Sequence, residues 1–157
     1  MNVRHDMVCI YVVRPDASAG HEFLQVRRSP GDYMAGVWTT VYGGIEPAET
    51  AVAAAVRELR EETGLVPNEF FRLGVISSFY IEATDTVWNA VPFVGVVAPT
   101  SNIQLNSEHD AFRWVPRPQA REAFVFPTDR AAVDVACEMI LDASPGRELL
   151  RVKLGRG

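Results

Sequence analysis

An α/β architecture, a mixed central sheet flanked by helices, is what this chain predicts, and three observations carry it. Short runs rich in β-branched and aromatic residues alternate with segments of helical period. The first three of those runs follow one another through turns, with no helix between them, which is unlike a plain series of βαβ crossovers. The length, 157 residues, is that of one ordinary domain with room for a sizeable core.

Each element has its own signal. "MVCIYVVR" at 7–14 reads as a buried strand, and "EFLQVRRS" at 22–29 carries apolar Phe23, Leu24 and Val26 among polar positions. "PDASAG" between them is turn chemistry, so the pair predicts a hairpin. "VWTTVYGG" at 37–44 is a third strand. Thr50 as N-cap and Gly64 as left-handed C-terminal cap bound a helix over 51–63, filled with good helix formers. "RLGVISSFYIEAT" at 72–84 and "TVWNAVPFVGVVA" at 86–98 predict two long strands joined near Asp85, the second marked by Pro92 as an edge or a bulge. "FRWVP" at 112–116 is a short strand, and 117–124 and 129–142 are helical. In the last of these, Val133, Ala136, Cys137, Ile140 and Leu141 recur at helical spacing, the pattern of a layer covering the core. The tail "ELLRVKLGRG" is either a closing strand or a fraying end.

Composition narrows the class. Hydrophobic residues make up 48% and charged residues 22%, without low-complexity tracts, as in a globular protein. No apolar run approaches a membrane span, and the start lacks the features of a signal peptide, so the expected compartment is the cytoplasm. Cys9 and Cys137 lie far apart in apolar segments and are expected to be buried hydrophobes. A net charge of −5 argues against stable nucleic-acid binding, which needs basic patches, but leaves room for a small anion held through a cation.

Chemistry concentrates in "GGIEPAETAVAAAVRELREETGL" at 43–65. On the 51–63 helix, Val52, Val56, Leu59 and Thr63 fall on one side, while Glu58, Glu61 and Glu62 share a separate arc of roughly 100°. Carboxylates near a helix C-terminus oppose its dipole at a few tenths to about 1 kcal/mol each, and the Glu58/Glu62 pair repels by a few tenths more. Arg57 and Arg60 offset part of this, and a solvated charged face is the plain reading. Local stability, however, does not account for the clustering, whereas a hard divalent cation needs oxygen donors of this kind on a rigid element. Glu49, nine residues before Glu58, can join only if the loop before Thr50 folds back, and Gly43 and Gly44 give the backbone that freedom.

The spacing Gly43, five residues, Glu49, seven residues, then Arg57-Glu58-Leu59-Arg60-Glu61-Glu62-Thr63-Gly64-Leu65 resembles the Nudix box of the Nudix hydrolases. The resemblance implies a single Nudix domain over 1–157 with the family's α/β/α sandwich. It further implies Mg²⁺ or Mn²⁺ held by Glu58, Glu61 and Glu62, with Glu49 contributing to the metal site or its loop and Arg57 orienting carboxylates. The activity implied is hydrolysis of a diphosphate linkage, with the general base either Glu61 or a glutamate outside the box.

"NSEHDAFRWV" at 106–115 resembles an "EH…W" segment of one Nudix subgroup, in which the glutamate, here Glu108, completes the metal site. His109, like His5 and His21, is read as structural, because magnesium prefers oxygen. "VWTTVYGGIEPAET" is similar to bacterial dihydroneopterin triphosphate and dATP pyrophosphohydrolases, though Val41 and Tyr42 stand where many members have Pro and Gly, and Ala48 where Gly is usual. By that similarity Arg27 meets a phosphate, the plain alternative being that Arg27 and Arg28 form a surface basic pair. Trp38 and Tyr42, as aromatic residues at strand positions, either border a base or pterin or belong to the core, and Tyr80 and Trp88 carry the same two readings. Gly43 and Gly44 either let the backbone approach a ligand or simply make a turn. The expected partner is a small nucleotide-like diphosphate, with a homodimer left open. The favoured reading is a pyrophosphohydrolase of a nucleoside or pterin triphosphate. The alternatives are a Nudix hydrolase of nucleotide sugars, ADP-ribose, dinucleoside polyphosphates or capped RNA, and a nucleotide sensor without turnover.

Overall fold

A computed structural model describes residues 1–155. Its centre is β1 (Asn2–Asp16), the strand from which the other layers are built. The alternation in "VCIYVV" works on both faces: Cys9, Tyr11 and Val13 enter one core, Val8, Ile10 and Val12 the other, and all six are fully buried. Along one edge β1 pairs antiparallel with β2 (Gly20–Arg28) and, nearer its start, with β4 (Val41–Gly44). Along the other edge it runs parallel to β7 (Thr86–Val96). The short β3 (Trp38–Thr39) and β8 (His109–Pro116) flank β2, whereas β5 (Glu69–Arg72) and β6 (Ser77–Ile81) flank β7. The eight strands form one mixed sheet.

Helix α1 (Ala51–Thr63) covers one face through Ala54, Ala55 and Leu59. Helices α2 (Arg117–Ala123) and α3 (Pro127–Ala136) cover the other through Ala120, Ala132, Val133 and Ala136, with Phe124 between them. The expected α/β/α sandwich is therefore the fold. Full burial of a large apolar side chain in either layer stabilises by about 1.5–3 kcal/mol.

Several boundaries differ from expectation. The strand predicted over 37–44 is two strands with different partners, divided at Thr40, whose hydroxyl donates to the Ile10 carbonyl. The strand predicted over 72–84 is broken at Gly74, which takes φ 73°, so that β5 and β6 pair with successive parts of β7. Pro92 is on neither an edge nor a bulge, because β7 lies inside the sheet. Its carbonyl accepts from Leu73 N–H at 3.1 Å, so its missing donor faces the seam between β5 and β6, where the ladder is already interrupted. The helix predicted over 129–142 starts at Pro127 and passes into a π turn over Cys137–Leu141, with Ile140 still buried in the core. The tail forms one helical turn, α4 (Arg147–Leu150), after which Arg151 bridges to Phe71 and Val152 N–H donates to Phe70 O at 2.8 Å. The last two residues of the predicted tail lie outside the described residues. Both cysteines are free, Cys9 in the core and Cys137 half-buried. Among the described residues no helix is long and apolar enough to cross a membrane.

Candidate active site

Helix α1 is bounded as its sequence predicts. Thr50 Oγ1 accepts from Ala53 N–H at 3.1 Å, and Gly64, at φ 73°, donates to Arg60 O at 2.8 Å. Its inner face is not the expected one: Ala54, Ala55, Leu59, Glu62 and Thr63 are buried, while Val52 and Val56 are only half-buried. The small alanines let the helix lie close to the sheet, and this rotates Glu62 inward. The three box glutamates consequently occupy three environments. The side chains of Glu61, Glu58 and Glu62 are 57%, 15% and 3% exposed.

Glu58 is accommodated by a missing side chain. A Cβ at Gly43 would lie 2.2 Å from Glu58 Cγ and 2.3 Å from Cδ, so β4 and α1 can approach this closely only with glycine there. Gly44 carries no such restriction, its nearest neighbour being 3.9 Å from a built Cβ. Glu49 does fold back, and Arg57 is what it meets. The guanidinium donates to Glu49 Oε1 at 2.7 Å and Oε2 at 2.8 Å, to Glu58 Oε1 at 2.9 Å, to Glu61 Oε2 at 3.3 Å and to the Gly44 carbonyl at 2.9 Å. This bidentate pairing holds the Glu49 carboxyl down at about 2. At Glu58 burial outweighs the arginine and pushes the carboxyl up. The turn carrying Glu49 is strained, because Ala48 sits at φ 65°.

Glu108 reaches the helix. The segment before it crosses the C-terminal end of α1, where Gln104 N–H donates to Thr63 O at 2.8 Å and Asn106 N–H to Glu62 O at 3.3 Å. These bonds satisfy carbonyls that the helix end leaves open. Asn106 Oδ1 then accepts from Glu108 N–H at 3.1 Å, and Glu108 O from Ser29 N–H at 3.0 Å. Burial and the adjacent Glu108 carboxyl raise Glu62 to about 10. Glu62 Oε2 has no hydrogen-bond partner, and neither has His109 Nδ1, which lies 4.0 Å from it.

Among the described residues, no three carboxylate, histidine or cysteine side chains converge closely enough to chelate an ion. The oxygens of Glu49, Glu58 and Glu61 are instead engaged by the Arg57 guanidinium. The donor chemistry nevertheless fits a hard divalent cation. Every donor is a carboxylate oxygen, Glu62 Oε2 is buried without a protein partner, and a cation beside it would restore the ionised form that burial opposes.

A cleft of about 620 Å³ opens beside these carboxylates. Gly43, Gly44, Glu108, His109 and Arg28 border it, and Tyr33, Tyr42, Phe79, Tyr80 and Phe126 supply aromatic surface. Tyr42 and Phe79 meet edge to face at 6.3 Å and 88°. Tyr80 lines the cleft at 53% exposure, its hydroxyl donating to Asp85 at 3.0 Å. Arg27 and Trp38 do not border it. Arg27 pairs with Asp110 at 2.7 Å, and Trp38 lies under Arg113 at 4.2 Å. Trp88 is likewise elsewhere, beneath Arg4 at 5.0 Å. The arginine on the cleft is Arg28, which donates to Tyr33 O at 2.6 Å and to Asp32 at 3.1 Å. Sequence reasoning missed it, although strand alternation had a signal: Leu24 and Val26 face α1, and Arg28 is the next residue in that register. Phe79 and Phe126 were missed as well, and no local motif marks them.

Residues 3–134 match the family pattern described as NUDIX domain. The chain belongs to the Nudix family. An octanoyltransferase from Myxococcus xanthus is 36% identical over 118 residues, which are 70% of this chain but only 30% of that protein, so this chain spans less than a third of that relative's length. The asymmetrical bis(5'-nucleosyl)-tetraphosphatase of Mus musculus is 30% identical over 117 residues, covering 71% of this chain and 76% of the mouse protein. Among solved structures, a C. elegans Ap4A hydrolase binary complex superposes with a TM-score of 0.71 at 20% identity, over 87% of this chain and 96% of the other. At that identity the likeness concerns the Nudix fold itself.

Proposed function

We propose that this Nudix protein is a divalent-cation-dependent pyrophosphohydrolase of a nucleoside or pterin triphosphate, releasing pyrophosphate and the monophosphate. The observation that carries the reading is the buried Glu62 carboxyl, its Oε2 without a partner, set against Glu108 beside an aromatic cleft. A nucleobase or pterin suits the aromatic walls. Its polyphosphate needs compensation that the cleft does not provide, because Arg28, the one arginine lining it among the described residues, is already engaged by Asp32 and Tyr33.

Glu58, Glu61, Glu62 and Glu108 would hold Mg²⁺ or Mn²⁺, with Glu49 acting through Arg57. When bound, such a cation neutralises phosphate oxygens and acidifies water. Arg57 fixes Glu49 and Glu58 while leaving Glu61 on a single longer contact of 3.3 Å. Glu61, the most exposed of the box glutamates, and Glu108 are the carboxylates with freedom to take a proton from the attacking water. In this reading the aromatic walls of the cleft would bind the nucleobase or pterin, so that the anhydride would lie beside those carboxylates.

A second reading, hydrolysis of a dinucleoside polyphosphate, is favoured by the mouse relative, whose name gives it that substrate class. Product analysis separates the two. With dATP or dihydroneopterin triphosphate and Mg²⁺, the first reading expects pyrophosphate and a monophosphate, while asymmetric cleavage of a diadenosine tetraphosphate yields a nucleoside triphosphate and a monophosphate. Glu62→Gln, which keeps the shape and removes the charge, is expected to abolish turnover and retain ligand binding. Full activity in Glu62→Gln, or a wild type that binds every substrate of the panel and cleaves none, refutes the proposal.

A further inference from the structure

One buried acid lies outside the box and outside the chemistry above. Asp129, in the first turn of α3, is 0% exposed, and its Oδ1 accepts two phenol hydrogen bonds, from Tyr11 and from Tyr42, each at 2.6 Å. Its Oδ2 is buried and has no partner. A half-satisfied carboxyl in a core is a poor route to stability, since an apolar side chain of similar volume avoids the desolvation.

The two phenols have different surroundings. Tyr11 is wholly inside the core, packed edge to face on Phe124 at 6.0 Å. Tyr42 lines the cleft and packs edge to face on Phe79, another cleft residue. Along the chain Tyr42 leads directly into Gly43, against which Glu58 lies, and Gly44, whose carbonyl accepts from Arg57. Asp129 follows Pro127 and Thr128, which line the cleft from α3. The Tyr42–Asp129 bond therefore joins the wall made by β4 to the wall made by α3, and the bond from Tyr11 anchors the same oxygen to the core.

We infer that Asp129 is a positioning residue for ligand binding: through Tyr42 it locks the aromatic wall of the cleft to the first turn of α3. The inference rests on the reading of the cleft as the nucleotide site. Tyr42 is the residue that meets the ligand, and Asp129 acts only through it. Tyr11 supplies an internal control, because Tyr11→Phe removes the same kind of bond to the same oxygen at a position that never meets the cleft.

The experiment compares the full chain with Tyr42→Phe, Tyr11→Phe, Asp129→Leu and Asp129→Asn. Each is melted, titrated calorimetrically with α,β-methylene-ATP and Mg²⁺, and assayed for KM and kcat. Loss of one hydrogen bond to a buried carboxyl is expected to lower Tm similarly in the two phenylalanine variants, whereas the Kd rises about tenfold in Tyr42→Phe and Asp129→Leu and less than about twofold in Tyr11→Phe. KM follows Kd, kcat stays within about threefold of wild type, and Asp129→Asn, which keeps an acceptor for both phenols, recovers most of the affinity. An unchanged Kd in Tyr42→Phe, or equal changes in Tyr42→Phe and Tyr11→Phe, overturns the inference. A wild type that binds the analogue but cleaves no anhydride ends the hydrolase reading and leaves the Kd comparison to decide this one. A wild type that does not bind the analogue overturns the inference.

Discussion

Replacing Gly43 by alanine puts a methyl group where Glu58 already sits. The added Cβ would stand 2.2 Å from Glu58 Cγ, 2.3 Å from Cδ and 2.8 Å from Oε1, against about 3.4 Å for ordinary contact. The clash involves the stem of Glu58 and not a flexible tip, so the carboxyl must shift by about 1 Å or more, or α1 must move off β4. Overpacking of this kind costs about 1–3 kcal/mol, which for a domain of this size lowers Tm by roughly 3–10 °C and leaves the protein folded at room temperature. A displacement of about 1 Å in a catalytic group lowers turnover by about 10²-fold. Gly44→Ala is the matched control, because its new methyl finds nothing nearer than Asp6 O at 3.9 Å. Melting by circular dichroism and pyrophosphate release at saturating Mg²⁺ measure both quantities. Wild-type turnover in Gly43→Ala, or equal losses in the two alanine variants, refutes the argument that the glycine exists to admit Glu58.

Two further outcomes follow from local geometry. Ala48→Gly relieves a left-handed residue at φ 65°, and the strain released, about 1–2 kcal/mol less the added chain entropy of glycine, raises stability by about 0.5–1 kcal/mol; an unchanged or lower urea midpoint contradicts this. Burial raises the Asp129 carboxyl above its ordinary value while the two phenol bonds oppose the shift. The fold thus favours the protonated acid, so this group's contribution is present below about pH 4, its unfolded range, and is lost as pH rises through the raised native value. The stability of wild type relative to Asp129→Asn is therefore expected to fall as pH rises above about 4, measured as the difference in urea midpoint, and a difference that grows with pH sinks the assignment.

Local signals are the legible part of this protein. The caps at Thr50 and Gly64, the helix between them and the buried strand at 7–14 each depend on residues close in sequence, and each forms as read. The carboxylates of the box are legible for the same reason, since helical geometry sets their relative angles whatever surrounds them. Their inequality is not. Glu62 is buried because alanines at 54 and 55 let α1 settle on the sheet at a particular rotation, and no helical wheel contains that sheet.

What the sequence by itself determined is the chemical inventory and the short-range order: an acidic helix bounded at both ends, a glycine pair before it, and strands on either side. Only the tertiary structure decided that Glu108 meets Glu62 across a segment laid over the helix end, that Arg28 and not Arg27 borders the cleft, and that Asp129 holds Tyr42 from 87 residues away. The reason is physical: bond geometry relates neighbours within a few residues, whereas these pairings depend on how the helices pack against the two faces of one sheet, which is a property of the whole core.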